Sequence, residues 1–480
     1  MRSRFVLLFA LLGLLAAACG GGDPSARGDI GDVVFLREPI IFVEGNLVAV
    51  DLDGDGKESI TIDSRNSSDF DGEVADYQYS RGLDVVGVGE TFTDDYAVGE
   101  HVVTLRITDD DGLTDHQAIV VRVLVPYEQS SETSPEIELF GPGFISHMSP
   151  TTNQRWFNVA GNVADPEGIL ELTWSLNGSS DQPLSLGPDD RRLVHDGDFN
   201  IDIPRAALTF GTNTIEITAV NRRGDRTTAL VRVENDPAVS PEFPIEVDWS
   251  EQALDGLVEI IDGGWVIDAD AGEAVIGPEY SGYDRLLSIG DTDWSDFDVT
   301  TTVTVEHVNE IISPHSSARG FGFLLRWNGH NDSVSPGSQP QAGFYPDRGR
   351  NLTPFGSFVF YTFQPQGDAL VLRDHRDQAA DSNPIEVTLG VEYNLRAQAQ
   401  TITEGSIYLA KMWPVGTPEP TEWSVEAIAG DGSDFEPDKG SLVLVSHETE
   451  TRWGAVNVRA VRDDERFTDA EIEAMRDAQS

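Results

Sequence analysis

Cysteine and lysine are almost absent from this chain of 480 residues. Cys19 is the only cysteine, which excludes an intramolecular disulfide, and the 32 basic residues, only three of them lysines, face 83 acidic ones. The formal net charge of −51 excludes a nucleic-acid partner, because binding a polyanion requires clustered cations. It also excludes attachment to an anionic bilayer through a basic patch. A neutral ligand, a cationic ligand or Ca²⁺ is compatible with this charge.

Long apolar runs are also missing. The longest one near the start, 5–15, is too short to span a bilayer, and it lies between two arginines and the small residues 16–18. This layout is typical of a secretory signal peptide. Its end resembles a bacterial lipobox, which implies a signal peptide over 1–18 and acylation of Cys19. Ordinary secretion is the alternative.

The residues after Cys19 refine this expectation. Gly20, rather than Asp, follows the cysteine, and in the lipobox family this implies sorting to the outer membrane or cell surface. Residues 19–32 then form a flexible tether, and acyl chains hold the protein on the membrane.

Helical periodicity is missing between residue 30 and the last fifteen residues. Short runs that alternate apolar and polar residues, such as 102–108 and 214–220, predict antiparallel strands. We therefore predict an all-β fold with two immunoglobulin-like β-sandwiches followed by a larger sandwich. Polar linkers at 127–134 and 237–242 give predicted domains over 33–126, 135–236 and 243–462. A capping box at 468–471 predicts a short helix in the polar tail 463–480.

The first predicted domain is rich in Asp-Gly turns. The run 51–56 (DLDGDG) places carboxylates at alternate positions, which is typical of half a calcium loop, but Ile62 occupies the position where an EF-hand needs glutamate. With the turns at 63–72 and 108–112 it resembles the PKD domain, which implies a spacer or adhesive module. The resemblance brings these turns to one end of a sandwich, so the candidate Ca²⁺ ligands are Asp51, Asp53, Asp55, Asp69, Asp71 and Asp110. The alternative is that these residues only cap tight turns.

The second predicted domain carries no recognisable catalytic group. Its runs 157–168, 170–178 and 211–225 resemble bacterial immunoglobulin-like repeats, which implies a spacer.

The third predicted domain holds seven of the nine tryptophans. This excess favours an aromatic sugar-binding surface, because aromatic faces stack on pyranose rings. Along 320–328, period two places Phe321, Phe323, Leu325 and Trp327 on the core face, so the other face is predicted to be a groove floor. The predicted ligand-binding residues are Arg326, Asn328, His330, Tyr345 and Tyr361.

Four segments of this domain, 282–297, 324–330, 408–414 and 453–458, resemble concanavalin A-like jelly rolls of the laminin-G and laminarinase type. That fold includes both lectins and hydrolases. Glycosidases of the laminarinase type carry a Glu-x-Asp-x-x-Glu motif, and Glu246, Asp248 and Glu251 match its spacing. Pro244 favours an edge strand there, whereas those enzymes use a central strand, so this triplet is only a weak catalytic candidate. No Ser-His-Asp constellation is recognisable in the sequence.

We therefore expect a non-catalytic lipoprotein of the bacterial cell envelope whose third domain binds an extracellular glycan or a surface protein. Two alternatives remain open. One is a glycoside hydrolase or polysaccharide lyase, and the other is a structural or adhesive protein without a small ligand.

Overall fold

Alternating apolar and polar residues form strands along the whole described chain. The structure is a computed structural model that describes residues 39–43, 47–51, 55–69, 72–81, 84–124, 134–140, 149–150, 154–189, 192–235, 242–250, 257–269, 274–309, 316, 318–329, 355–363, 368–374, 379–382, 384–403, 405–430 and 436–479. Within these ranges there are 31 strands and one α-helix. The predicted all-β fold class is confirmed. Cys19 and the tether lie outside the described residues.

The first sandwich joins a five-stranded sheet, in the order β1-β7-β6-β3-β4, to the hairpin β2-β5. Its strands are β1 (Val48–Val50), β2 (Lys57–Asp63), β3 (Val74–Arg81), β4 (Asp84–Val88), β5 (Thr91–Ala97), β6 (Gly99–Asp109) and β7 (Thr114–Leu124). Inward-facing residues of both sheets, such as Ile62, Tyr79 and Leu105, form the core. This inward alternation is what the sequence pattern predicts.

The middle sandwich packs a sheet in the order β13-β10-β8 on a sheet in the order β12-β11-β14-β15-β9. Its strands are β8 (Glu136–Leu139), β9 (Ser149–Pro150), β10 (Trp156–Ala164), β11 (Ile169–Leu176), β12 (Gln182–Pro183), β13 (Asp198–Pro204), β14 (Gly211–Asn221) and β15 (Arg226–Asn235). Val159, Ile201 and Ile217 lie in its core, and Trp174 packs against that core partly buried.

The third sandwich has sheets of nine and seven strands. Its strands are β16 (Ile245–Val247), β17 (Val258–Asp262), β18 (Trp265–Asp268), β19 (Val275–Pro278), β20 (Arg285–Ile289), β21 (Phe297–Val308), β22 (Gly320–Trp327), β23 (Ser357–Thr362), β24 (Ala369–Asp374), β25 (Ala379–Asp381), β26 (Glu392–Ile402), β27 (Gly405–Pro414), β28 (Val425–Ala429), β29 (Ser441–His447), β30 (Thr449–Trp453) and β31 (Val456–Ala460). The seven-stranded sheet runs β17-β20-β29-β22-β23-β24-β25. In the nine-stranded sheet the path β18-β19-β30-β21-β26-β27-β28 is joined by β31, which pairs with β21 and with the edge strand β16.

Most of the tryptophans of the third sandwich are part of its packing. Six of the seven are at most 8 % exposed, and Trp423 is the one that keeps a partly exposed ring. Four of them, Trp249, Trp265, Trp294 and Trp453, lie in the core between the sheets. The prediction of a broad aromatic binding surface from tryptophan content alone is not supported.

The middle sandwich packs directly on the outer face of the seven-stranded sheet, where β10 lies against β17. Buried polar contacts join them: Glu259 Oε1 accepts from Asn158 N at 2.7 Å, and Gln154 Nε2 donates to Gly290 O at 2.9 Å. The Arg192 guanidinium contacts Asp202 Oδ2 at 2.6 Å and also pairs with Asp262. Since these ion pairs are buried at the contact, the two sandwiches form a fixed contact rather than a flexible joint.

The described chain ends in the α-helix α1 (Asp469–Gln479). Thr468 N donates to Glu471 Oε2 at 2.8 Å and Glu471 N donates to Thr468 Oγ1 at 3.4 Å, which together make the predicted capping box. Among the described residues, no helix has the length and apolar character needed to cross a bilayer.

Candidate functional site

The structure places Arg326, the first predicted ligand-binding residue, in the interior. A register shift between Leu325 and Trp327 interrupts the ladder from β22 to β29, and Arg326 there has a φ of +57°. Its guanidinium donates to Ser406 Oγ at 2.5 Å, Thr401 Oγ1 at 2.9 Å and Pro437 O at 2.9 Å, and it pairs with Asp296 at 3.1 Å. A side chain with 0 % exposure and these partners ties the two sheets together instead of forming a groove floor.

The same bulge changes which face Trp327 occupies. Phe321, Phe323 and Leu325 lie in the core between the sheets, as predicted. Trp327 is also buried, but it joins the apolar cluster on the opposite face with Leu324. Gly440 makes the bulge possible, because a Cβ there would lie 2.2 Å from the Arg326 carbonyl carbon. Strict alternation in the sequence does not reveal this shift of phase.

The other predicted ligand-binding residues do not form a described groove with Arg326. Tyr361 is fully buried, and its hydroxyl donates to Ile385 O at 2.8 Å; burial raises its pKa. Asn328 Nδ2 donates to Arg326 O and Lys439 O. His330 and Tyr345 lie outside the described residues. The described members therefore all have partners within the fold, and ligand binding by Asn328 stays a prediction.

The predicted calcium ligands that the structure describes mainly bind backbone amides. Asp51 Oδ2 accepts from Gly56 N at 2.8 Å, and Asp110 Oδ1 accepts from Glu73 N at 2.9 Å. Asp69 is buried, and both Asp69 and Asp110 lie close to Gly72, where a Cβ would clash with their oxygens. In the part of the chain that is described, no three acidic, His or Cys side chains are arranged to hold a metal. Asp55 is exposed, and Asp53 and Asp71 lie outside the described residues, so calcium stays a prediction.

The weak glycosidase triplet lies at a sheet edge. Glu246 is exposed on β16, which pairs only with β31 among the described strands. Asp248 accepts hydrogen bonds from the Ser250 N–H at 2.9 Å and from its hydroxyl at 2.7 Å, and these bonds lower its pKa. Glu251 lies outside the described residues. The edge position is the one predicted from Pro244.

A different surface gathers polar side chains: the outer face of the nine-stranded sheet. Because side chains alternate, the even-numbered residues of β21 and β26 point away from the core. Thr300 lies opposite Arg396, and Thr302 lies opposite Asn394. The next strand along continues these rows with Lys411 and Trp413, and β31 adds Asn457 beside Thr300.

One end of this face carries a saturated ion-pair network. Asp298, which is 2 % exposed, accepts from Arg396 Nη2 at 2.6 Å, from Arg459 Nη2 at 3.0 Å and from Gln398 Nε2 at 2.8 Å. Glu465 closes the network by pairing with Arg459 at 2.7 Å. Hydrogen bonds from Arg459 lower the pKa of Glu465 to about 2, against the effect of partial burial. The arginines here are therefore neutralised.

The other end carries the two tryptophans that lie on the outer face. Lys411 Nζ lies 4.7 Å from the ring centroid of Trp423 and 5.8 Å from that of Trp413. Arg396 lies 5.2 Å from Trp423. Glu419 pairs with both cations, at 2.8 Å and 2.6 Å. These contacts fix the rings at the border of the polar rows.

Beside the network and the tryptophans lies a strip with unused hydrogen-bonding capacity. We call it the polar strip: Thr300, Thr302, Asn394 and Asn457. The first three side chains are partly exposed, and Asn457 is exposed. Within the described chain, none of their side chains takes part in a hydrogen bond, although both neighbouring ends of the face are fully paired. The polar residues in the runs 300–302 (TTT) and 394–398 (NLRAQ) do indicate a polar face in the sequence. Only the structure shows that this face of the sandwich lies apart from the middle sandwich.

No protein-family model matches the chain, and no curated protein matches it. Several solved structures are weakly similar. A Bacillus subtilis protein of unknown function with a galectin-like fold matches at 10 % identity, over 46 % of this chain and 97 % of that one, with a TM-score of 0.32. The exoplasmic/lumenal domain of VIP36, in a form bound to Ca²⁺ and Man3GlcNAc, matches at 10 % identity over 45 % and 88 %, with a TM-score of 0.28.

A third structure is xylan β-1,4-xylosidase from Bacillus halodurans C-125, at 9 % identity over 88 % and 99 %, with a TM-score of 0.29. TM-scores this low carry no argument about function. The function is therefore argued from the side chains of this chain.

Proposed function

We propose that this chain is a lipoprotein of the bacterial cell envelope whose third sandwich binds a carbohydrate on the polar strip without cleaving it. The observation that carries the proposal is the row of neutral hydroxyl and amide groups in register across neighbouring strands, without partners among the described residues and bordered by Trp413 and Trp423. Hydroxyl and amide groups bind sugar hydroxyls, and aromatic rings border the sites where pyranose rings stack.

The charges around the strip favour a neutral glycan. Arg396 and Lys411 are paired with Asp298 and Glu419, so no cation in this group is available for an acidic ligand. The chain as a whole carries a net charge of −51, which repels polyanions over longer distances. Specificity would then come from hydrogen bonds and not from ion pairs.

The remaining parts of the proposal concern presentation on the cell. Acyl chains on Cys19 would attach the protein to the outer membrane or cell surface, and the two immunoglobulin-like sandwiches would serve as a stalk. A stalk of fixed geometry is supported by the buried contacts between the middle and third sandwiches. Between the first and middle sandwiches, Arg122 pairs with Asp196 at 2.7 Å near the surface.

The binding proposal is tested with the full chain on an array of neutral glycans, followed by titration calorimetry with any glycan that binds. We expect Asn394→Ala and Thr302→Val each to weaken binding about tenfold, since one hydrogen bond to a ligand contributes roughly 1 kcal/mol. Thr214→Val is the matched control, because Thr214 is a partly exposed, outward-facing strand threonine of the middle sandwich.

Three outcomes would contradict the binding proposal. Unchanged affinity in both variants would move the site away from the polar strip. Release of reducing sugar from a bound glycan would favour the hydrolase alternative, and failure to bind any glycan would favour the structural or adhesive one. The anchor is tested separately by labelled palmitate, which should enter the wild-type chain and not Cys19→Ser.

A further inference from the structure

Three side chains that are far apart in the sequence meet at one end of the seven-stranded sheet. Ser316 Oγ lies 2.7 Å from His447 Nε2, and His447 Nδ1 lies 2.7 Å from Asp284 Oδ1. Asp284 directly precedes β20, His447 ends β29, and Ser316 lies four residues before β22. The pairing of Arg285 with Ser446 and of Gly320 with His447 brings these strand ends together. This grouping is not recognisable in the sequence, because the residues come from three separate segments.

The burial of the three groups increases from serine to aspartate. Ser316 is partly exposed, the His447 side chain is 13 % exposed, and the Asp284 side chain is 4 % exposed. A nucleophile must be reachable, whereas the acid that orients the imidazole functions best away from water. The Tyr283 ring lies edge-on to the imidazole, with centroids 5.0 Å apart, and Phe360 lies at 6.2 Å. These rings limit rotation of His447.

The hydrogen-bond partners allow two proton arrangements. Ser316 Oγ also lies 2.7 Å from Ala318 O, and a hydroxyl has one proton to donate. If Ser316 donates to Ala318 O, a protonated His447 donates from both nitrogens, to Ser316 and to Asp284. If the imidazole is neutral, its Nδ1–H donates to Asp284 and Nε2 accepts the serine proton. The second arrangement is the one in which the imidazole can accept the serine proton.

We propose that Ser316, His447 and Asp284 form a catalytic triad that hydrolyses carboxylic esters with uncharged acyl groups. Ser316 Oγ attacks the ester carbonyl carbon while its proton passes to His447 Nε2. Collapse of the tetrahedral intermediate breaks the ester bond, and the leaving alkoxide takes that proton and departs as the alcohol. Water then attacks the acyl-serine with His447 as base, which releases the carboxylic acid and restores the serine.

The surroundings define the class of ester. Phe360, Tyr283 and Ala318 present apolar surface beside the triad, which favours an uncharged acyl group. The net charge of −51 disfavours a polyanionic substrate. This activity does not depend on carbohydrate binding, because the triad and the polar strip lie on different sheets.

The decisive measurement is made on the wild-type full chain with a fluorophosphonate probe, which reacts with activated serines. We expect one labelled peptide, carrying Ser316, and hydrolysis of 4-nitrophenyl acetate. Ser316→Ala should abolish labelling and reduce hydrolysis to background. His447→Gln and Asp284→Asn should each lower kcat about 100-fold or more.

Ser281→Ala is the matched control. Ser281 is a partly exposed serine on the same side of β20, but its hydroxyl donates to Asn309 Oδ1 and not to a histidine. This variant should keep full labelling and full hydrolysis. Absence of label on the folded wild-type chain would overturn the proposal even if the variants fail to fold, and so would labelling that persists in Ser316→Ala. Loss of thermal stability in His447→Gln without any wild-type labelling would identify a purely structural hydrogen-bond network.

Discussion

The two outer faces of the third sandwich differ in the balance between their buried arginines and carboxylates. On the seven-stranded sheet, Arg192 of the middle sandwich bridges two carboxylates, Asp202 and Asp262, and both are fully buried. On the nine-stranded sheet, Asp298 is shared by Arg396 and Arg459, and Glu465 closes the network near the surface. The first cluster has two acids for its bridging arginine, and the second has several arginines for its acids.

The pKa values follow this balance. Burial raises the pKa of Asp262 to about 7; Arg192 opposes the shift and the nearby Asp202 increases it. On the other face, hydrogen bonds from Arg459 lower the pKa of Glu465 to about 2. The Arg192 cluster therefore holds the middle and third sandwiches together. The Asp298 cluster instead pairs the charges of an outer sheet face, and the border of that face stays open to a ligand.

Removing the central cation of the first cluster should have the largest effect. Arg192→Leu leaves Asp202 and Asp262 buried without their shared arginine, and removal of one partner of a buried ion pair costs about 3–5 kcal/mol. We expect the free energy of unfolding, measured by guanidinium titration at pH 7, to fall by that amount.

The matched control for this prediction carries Arg192→Leu together with Asp202→Asn and Asp262→Asn. Removing the carboxylate charges should restore part of the loss. A triple variant that is as unstable as Arg192→Leu would show that packing of the arginine, and not its charge, dominates the contact.

The second-largest effect concerns pH. Asp262 has a folded pKa of about 7, above its ordinary value of 3.8. Its contribution to the free energy of unfolding is therefore fully present below about pH 4 and is lost as the pH rises through 7. Asp262→Asn keeps the neutral form at every pH. We expect this variant to be about 1–3 kcal/mol more stable than wild type at pH 8, with the difference vanishing towards pH 4.

Urea titrations at a series of pH values would measure that difference. Asp202→Asn is the comparison variant, because it removes the neighbouring negative charge and should shift the titration of Asp262 to lower pH. A stability difference that does not depend on pH would mean that Asp262 is ionised throughout.

On the opposite face, the dependence of stability on pH has the opposite sign. The pKa of Glu465 is lowered from 4.5 to about 2. Its contribution to the free energy of unfolding is therefore present above pH 4.5 and is lost as the pH falls through 2. Since the pair lies near solvent, we expect Glu465→Gln to cost about 1 kcal/mol at pH 6. The cost should shrink at pH 2 and in high salt, and it should be measured by thermal unfolding.

The sequence predicted elements better than sites, for physical reasons. Alternation and turn residues are local, so the strands and the capped C-terminal helix could be recognised. Arg326 was misplaced because a bulge moves it by one position, and its partners, Ser406 and Asp296, lie far away in the chain. The Ser316–His447–Asp284 grouping is likewise set only by strand pairing. Recognition of the polar strip also requires knowing which face of the third sandwich the middle sandwich covers.

The smallest predicted effect lies in the first sandwich, where Asp51 and Asp110 accept hydrogen bonds from backbone amides. Asp110 accepts the Glu73 N–H, so Asp110→Ala should cost about 1 kcal/mol, the value of one such hydrogen bond. If capping is its only role, millimolar Ca²⁺ should leave this cost unchanged in thermal unfolding. A stabilisation by Ca²⁺ that occurs in wild type and disappears in Asp110→Ala would instead establish a metal site completed by acids such as Asp53 and Asp71. In that case the first sandwich would hold its acids with a metal ion, as the third holds its acids with arginines.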